Sequence, residues 1–314
     1  MKQGSFESIN YSLRPNKNVE RKLIVNSLHR LGSRFALKDY RYVGFGSMWF
    51  TDFSLFHRYL GISDMVTIEK IVSRKGRVEF NKPYSCIHVR MGDASAVLGD
   101  LVEAKRSLVW LDYDGGLASA TTGDVEIAVG AMTSGSMIMI SVNAMSDQLK
   151  VKDDDGNPIQ PINHLIELTG RAGLASEAHR LTRNDFPPLV AEILHERIRS
   201  AALGRPGFSY VPIWNFLYAD GADMITVGGM IVDEADGTLL AECELSELPF
   251  LTAGDPFEIR LPVLTDKEKR ELDRLLPRDT PIKASDLPFE LRDTELEAYR
   301  KFYLEYPLYG EVAA

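Results

Sequence analysis

Apolar positions along this chain come in short blocks rather than long stripes. Tyr40 to Phe45, Met65 to Ile68, Cys86 to Met91, Leu108 to Leu111 and Ser136 to Val142 are each rich in aliphatic or β-branched residues. Blocks of that length without strict alternation read as strands covered on both faces. Polar or helix-compatible segments separate them, and the first is clear: Thr51 or Asp52 suits an N-cap for a helix carrying Phe53, Phe56, Leu60 and Ile62. Strands alternating with helices predict a parallel sheet with right-handed crossovers. The fold class is α/β, with a doubly wound, mostly parallel sheet.

The pattern changes on either side of this block. Before it, Val19, Leu23, Leu28 and Leu31 have helical spacing. Arg14, Lys17, Glu20, Arg21 and Lys22 form a charged run there, read most simply as a solvated helix face, with Arg14 or Lys17 folded over an anionic ligand as the alternative. After Asn143 comes the charged turn Lys152 to Gly156, then a largely helical stretch interrupted at Pro187-Pro188. Phe208 to Tyr218 and Met224 to Val232 flank an Asp220-Gly221 pair, which predicts an antiparallel C-terminal hairpin. Thr265 and Glu268 have capping-box spacing ahead of Leu272, Leu275 and Leu276, and the helix should stop at Pro277. Leu296, Tyr299, Phe302, Tyr303, Tyr306 and Tyr309 suit a packed tail. The expected organisation is an N-terminal helical segment over 1–39, a main domain over 40–260 with a helical insertion at about 157–206, and a C-terminal helical extension over 261–314.

Composition narrows the function. At 314 residues and 45% hydrophobic, the chain has ample material for a core. A formal net charge of -9 gives no strong nucleic-acid signal and favours small-molecule or peptide-like partners. Cys86 and Cys243 are far apart, and the start of the chain has no long apolar stretch, so a cytoplasmic location is expected. No apolar run approaches the roughly 20 residues of a membrane helix. The six histidines show no HxH or HExxH spacing, and His195-Glu196 reads as a surface helix pair. Nothing in the sequence fixes an oligomeric state.

Candidate chemistry lies at the strand ends. Gly44-Phe45-Gly46-Ser47 follows the first, where missing Cβ atoms permit close approach of a ligand and Ser47 offers a hydroxyl. Glu69 ends the second, placed to accept the hydroxyls of an adenosine ribose, or else to pair with Lys70 at a solvated terminus. Gly92-Asp93 ends the third, as a contact for the amino edge of an adenine or a plain helix cap. Asp112-Tyr113-Asp114 ends the fourth, and two carboxylates straight after Leu108-Val109-Trp110-Leu111 require a cation, a donor or a shared proton. Polar groups at successive strand ends suggest one ligand crevice.

This order resembles the class I S-adenosylmethionine-dependent methyltransferases, whose Rossmann-like sheet has a glycine-bearing first turn and acidic second and fourth strand ends. The resemblance spans Tyr40 to Asn143, with Phe208 to Val232 similar to the last two, antiparallel strands of that fold. It implies S-adenosylmethionine as cofactor, with Gly44, Gly46 and Ser47 near its methionine part, Glu69 at the ribose and Asp93 at the adenine. It places Asp112 at the cofactor amine or the substrate. It implies transfer to oxygen or nitrogen, with Asp112 and Asp114 as the catalytic carboxylates. The chain departs from the family at Tyr42-Val43, where an acidic residue usually precedes the first glycine, and at the bulky Met48-Trp49-Phe50. A divalent metal on Asp112, Asp114 and Asn143 is possible but not favoured. Two other readings compete. Leu-Asp-Tyr-Asp-Gly also resembles the nucleophile motif of haloacid-dehalogenase-type phosphatases, with Asp153-Asp154-Asp155 as a later acidic motif. A non-catalytic cofactor-binding or assembly module is the third.

Overall fold

The computed structural model describes residues 14–252 and 254–307, so Tyr309 and residues 1–13 of the expected N-terminal segment lie outside the described residues. One eight-stranded sheet organises the chain. Its strands are β1 (Arg41–Gly44), β2 (Asp64–Glu69), β3 (Ile87–Met91), β4 (Ser107–Gly116), β5 (Ser136–Asn143), β6 (Ser209–Ala219), β7 (Asp223–Val232) and β8 (Phe257–Ile259), in the order β3-β2-β1-β4-β5-β7-β6-β8. The first five strands are parallel, β7 runs antiparallel to β5 and β6, and β8 adds a parallel edge beside β6. Strand order reverses between β1 and β4, which opens a crevice at their carboxyl ends.

Alternation along the central strands assigns the two faces. Leu108, Trp110, Met137 and Met139 face a layer made by α1 (Pro15–Leu31), α2 (Thr51–Leu60) and α3 (Lys75–Asn81). Val109, Leu111, Ile138 and Ile140 face α4 (Ala94–Val102), α5 (Ser119–Ala131) and α7 (Phe186–Leu203). Both sets are buried, which is why the blocks read as continuous apolar runs. The 157–206 stretch contains α6 (Pro161–Thr169) and α7. Leu189, Val190, Ile193, Leu194 and Ile198 of α7 lie in the sheet's own core, so this helix is a full member of the covering layer.

α1 belongs equally to the core. Ser27 accepts a hydrogen bond from Trp214 Nε1 of β6 at 2.8 Å, and Asp220, in the turn between β6 and β7, accepts from the backbone N–H of Asn16 at 3.1 Å and of Lys17 at 2.9 Å. A remote carboxylate thus caps α1, because Arg14 at its N-cap makes no side-chain cap. Beyond β7 come α8 (Glu234–Ala241), then α9 (Asp266–Asp273), started by the expected Thr265–Glu268 capping box, and α10 (Asp293–Phe302). Leu272, Ile282, Leu296 and Tyr299 form a small core of their own in this region.

Candidate functional site

A cleft of about 350 Å³ opens at the switch between β1 and β4. Every acidic strand end singled out in the sequence reaches it: Glu69, Asp93, Asp112 and Asp114 line it together with Ser47. Arg21 of α1, Asp52 of α2 and Asp124 of α5 also line it, and the sequence pattern had suggested none of them.

The loop leaving β1 is strained. Ser47 and Phe50 both sit in the left-handed region, at φ 47° and 46°, which non-glycine residues occupy only when their surroundings hold them there. The Phe50 ring, fully buried, is that anchor. It also accounts for Gly46, where a Cβ would lie 2.5 Å from Phe50 Cε1 and 2.9 Å from Thr67 Oγ1. At Gly44 a Cβ would stand 2.6 Å from the Tyr42 hydroxyl. The missing Cβ atoms therefore make room for the protein's own rings, and neither glycine is among the cleft-lining residues. Thr51 and Asp52 do not cap α2; its N-cap is Phe50, without a side-chain bond. Asp52 instead accepts the Tyr42 hydroxyl proton. A carboxylate thus reaches this part of the cleft from α2, although β1 has none before its first glycine.

At the β2 and β3 ends, Glu69 accepts from the Ile71 N–H at 2.8 Å, and Gly92, at φ 145°, donates its N–H to the Glu69 carbonyl at 3.0 Å. Lys70 pairs with Asp93 at 2.6 Å rather than with Glu69, and Asp93 makes no side-chain cap for α4. Tyr113 packs edge-on against Phe45, with centroids 5.2 Å apart, and donates to Asp124 at 2.6 Å. Burial pushes both the Tyr113 and Asp124 ionisations up.

The opposite end holds charges that the sequence had assigned to solvent. Lys17, Glu20 and Arg21 are buried, which corrects the reading of their helix face as exposed. Lys17 Nζ lies 2.8 Å from Glu20 Oε2 and 3.0 Å from Asp112 Oδ1, donates to the Tyr218 hydroxyl at 2.9 Å, and sits 4.5 Å from the Trp110 ring centroid. Burial opposes the charge on Lys17, but Asp112 and Glu20 more than restore it and hold the ammonium well above the usual lysine range. Burial likewise works to raise Asp112, and Lys17, then Arg21, outweigh it, so its carboxyl stays below the usual range. Burial pushes Glu20 and Asp52 upward, with Lys17 and Arg21 respectively opposing.

Residues 9–314 match the sequence model of the family described as "Putative O-methyltransferase". The chain belongs to this methyltransferase family. The sheet's strand order, with β7 antiparallel beside β5 and the cleft at the β1/β4 switch, is the Rossmann-like arrangement that the sequence resemblance implied. No curated protein matches the methyltransferase in sequence. Solved structures similar to it include Trm1 from Pyrococcus horikoshii in complex with S-adenosyl-L-methionine (10% identity, TM-score 0.47, covering 76% of this chain and 61% of that one). Fibrillarin from Methanococcus jannaschii (12% identity, TM-score 0.38, covering 63% and 68%) is another.

Family membership removes the phosphatase reading, and the geometry gives the reason. In this chain Asp112 lies within β4, where the pairing with β5 shifts register before Gly116, and is engaged by the Lys17 ammonium, an arrangement that anchors a carboxylate rather than freeing it as a nucleophile. Asp153 to Asp155 lie in an exposed turn where Asp153 accepts from its own chain at Asn157 N, 2.7 Å away. Asn143, the third oxygen considered for a metal, accepts from Met145 N at 2.9 Å. Among the described residues no group of three or more His, Cys, Asp and Glu side chains comes together as a metal site. His195 is half-buried beside an exposed Glu196: its Nδ1 is 2.9 Å from the Tyr210 hydroxyl, and burial pushes its pKa down to about 4. It lines a separate groove of about 680 Å³ between α7 and β6, apart from the acidic strand ends.

Proposed function

We propose that the cleft at the β1/β4 switch holds S-adenosylmethionine and that the chain methylates an oxygen of a small-molecule or peptide-like acceptor, with nitrogen as the alternative acceptor atom. The observation that carries this reading is the convergence of four strand ends on one cleft, with Glu69 and Asp93 at β2 and β3 and the buried Arg21 guanidinium reaching it from α1 beside Asp52 and Asp112. Glu69 and Asp93 suit the hydroxyls and amino group of a nucleoside, which are donors. The family description favours oxygen.

Bound there, the cofactor supplies a methyl group already activated on a sulfonium, so the protein's task is alignment. Asp112, held ionised by Lys17, acts as a fixed counter-charge rather than a proton acceptor. Asp114 lines the same cleft from an exposed position and is the carboxylate placed to take a proton from an acceptor hydroxyl. The strained β1 loop holds Ser47 and Thr51 on the wall.

Calorimetry with S-adenosylmethionine and S-adenosylhomocysteine tests the binding step. Glu69→Ala is expected to weaken both ligands by about tenfold, the loss of one or two hydrogen bonds to a charged group. Transfer of labelled methyl across hydroxyl and amine acceptors tests the chemistry, and Asp114→Asn should lower kcat while leaving S-adenosylhomocysteine affinity unchanged. Absence of heat with either ligand would refute the site; binding without transfer to any acceptor would favour the non-catalytic module.

A further inference from the structure

Among the described residues, Arg21 is the one side chain of the cleft with buried hydrogen-bonding groups that no other group meets. Its side chain is 3% exposed, and Nε and Nη1 are buried without a hydrogen-bond partner. The nearest carboxylate contact is Nη2 to Asp52 Oδ1 at 3.9 Å, beyond hydrogen-bond range. A guanidinium keeps its charge at any physiological pH and presents donors in a rigid planar fork. Burying that fork unmatched is strongly unfavourable, so the group that completes it should be a planar anion arriving with a ligand. Around it, Lys17 is fully engaged by Glu20, Asp112 and Tyr218, and Asp52 is bound by Tyr42. Arg21 is what remains to meet a ligand's charge.

We propose that Arg21 receives the α-carboxylate of the cofactor's amino-acid end and makes the site selective for ligands that carry it. This rests on the cofactor reading above. Two arrangements in the cleft support the cofactor rather than the acceptor as the source of the anion. Asp112 Oδ1 is taken by Lys17, but its carboxylate still lines the cleft and is 22% exposed, which leaves it open to a cation. An α-amino acid presents an ammonium beside its carboxylate, matching Asp112 beside Arg21. At the far end Glu69 and Asp93, the latter paired with Lys70, offer oxygens to the donors of a nucleoside, so the buried guanidinium favours the zwitterionic end of the ligand at Arg21. Placement of Arg21 is fixed by Asp220, which caps α1 one turn earlier and so ties the anion seat to the β6–β7 turn.

The test compares three ligands: S-adenosylhomocysteine, its decarboxylated analogue 5′-deoxy-5′-(3-aminopropylthio)adenosine, and methylthioadenosine, which lacks the whole amino-acid end. The wild-type protein should bind S-adenosylhomocysteine about 30- to 100-fold more tightly than the decarboxylated analogue, the range expected for a buried charge-assisted pair. In Arg21→Met that preference should collapse to within about threefold, methylthioadenosine affinity should stay constant, and Arg21→Lys should recover part of the difference. Arg21→Met also takes a counter-charge from Asp52 and Asp112, so a lower ligand-free melting temperature is expected and does not bear on the proposal; the constant methylthioadenosine affinity is what shows that the cleft is intact, and its loss would show a structural role for Arg21 instead. Equal wild-type affinity for S-adenosylhomocysteine and the decarboxylated analogue would overturn the proposal without needing any variant. So would unchanged ligand affinities in Arg21→Met with a raised KM for an anionic acceptor, which would assign the fork to the acceptor. Failure of the wild type to bind any of the three ligands would instead remove the cofactor reading itself.

Discussion

Lys17 shows how one side chain can hold several elements at once. From α1 its ammonium reaches Asp112 on β4 and Tyr218 on β6, and a longer contact of 3.4 Å reaches Ser141 on β5. Lys17→Met would strand Asp112 and Glu20 without their counter-charge, and should cost about 3–5 kcal/mol of stability in urea denaturation, the cost of breaking a buried pair from one side. His195 gives a pH signature of the opposite kind. Its folded pKa of about 4 lies below the unbound 6.5, so as pH falls through that window the unfolded chain takes up a proton that the folded chain refuses. Its stabilising contribution is therefore complete above about pH 6.5 and shrinks towards pH 4. Glu20 and Asp52, raised by burial, act in the other direction, so the measurement is the difference between wild type and His195→Gln in thermal melts at pH 7 and pH 4.5. The stability advantage of wild type should narrow at the lower pH. The buried state of the charges was partly legible. Lys17, Glu20, Arg21, Ile24, Leu28 and Leu31 share one helical stripe by their three- and four-residue spacing. Continuing the apolar stripe back by one turn lands on charges, and that conflict was the available signal.

At the scale of elements, the β1–α2 connection carries most of what the first glycines do. Gly46→Ala would drive a methyl group into Phe50 and Thr67, and should cost about 1–3 kcal/mol while weakening S-adenosylhomocysteine binding, because the same loop presents Ser47 and Thr51. Gly123 is the control. It lies inside α5 with nothing within 4 Å of an added Cβ, so Gly123→Ala should stabilise by about 0.5–1 kcal/mol and leave binding alone. Paired chemical denaturation curves and calorimetry would separate the two. Strands, the hairpin and the Thr265 capping box were readable because each depends on neighbours in sequence. What the glycines were for was not readable, since the rings that crowd them are placed by the fold of the loop and by β2.

Considered whole, the molecule combines a two-layered sheet core with a smaller C-terminal one. Leu272, Ile282, Leu296 and Tyr299 pack among themselves, while Phe302 joins the sheet's core through Phe257, with ring centroids 5.9 Å apart. Leu296→Ala should cost about 2–5 kcal/mol locally. Hydrogen exchange is expected to quicken over 266–302 first, with β1 to β5 and S-adenosylhomocysteine binding preserved. Loss of protection across the sheet at the same rate would show one cooperative unit instead.

The sequence alone determined the α/β class, a mostly parallel sheet with an antiparallel hairpin, and the acidic strand ends that line the cleft, because periodicity and strand termini are local properties. Only the tertiary structure decided that α1 is a wall of that cleft. Arg21 becomes a buried cation whose Nε and Nη1 have no hydrogen-bond partner, and Asp52 a carboxylate delivered from α2, through packing between segments distant in the chain. Burial, which sets the cost of a charge and hence its use, is a property of that packing and not of any residue's neighbours in sequence.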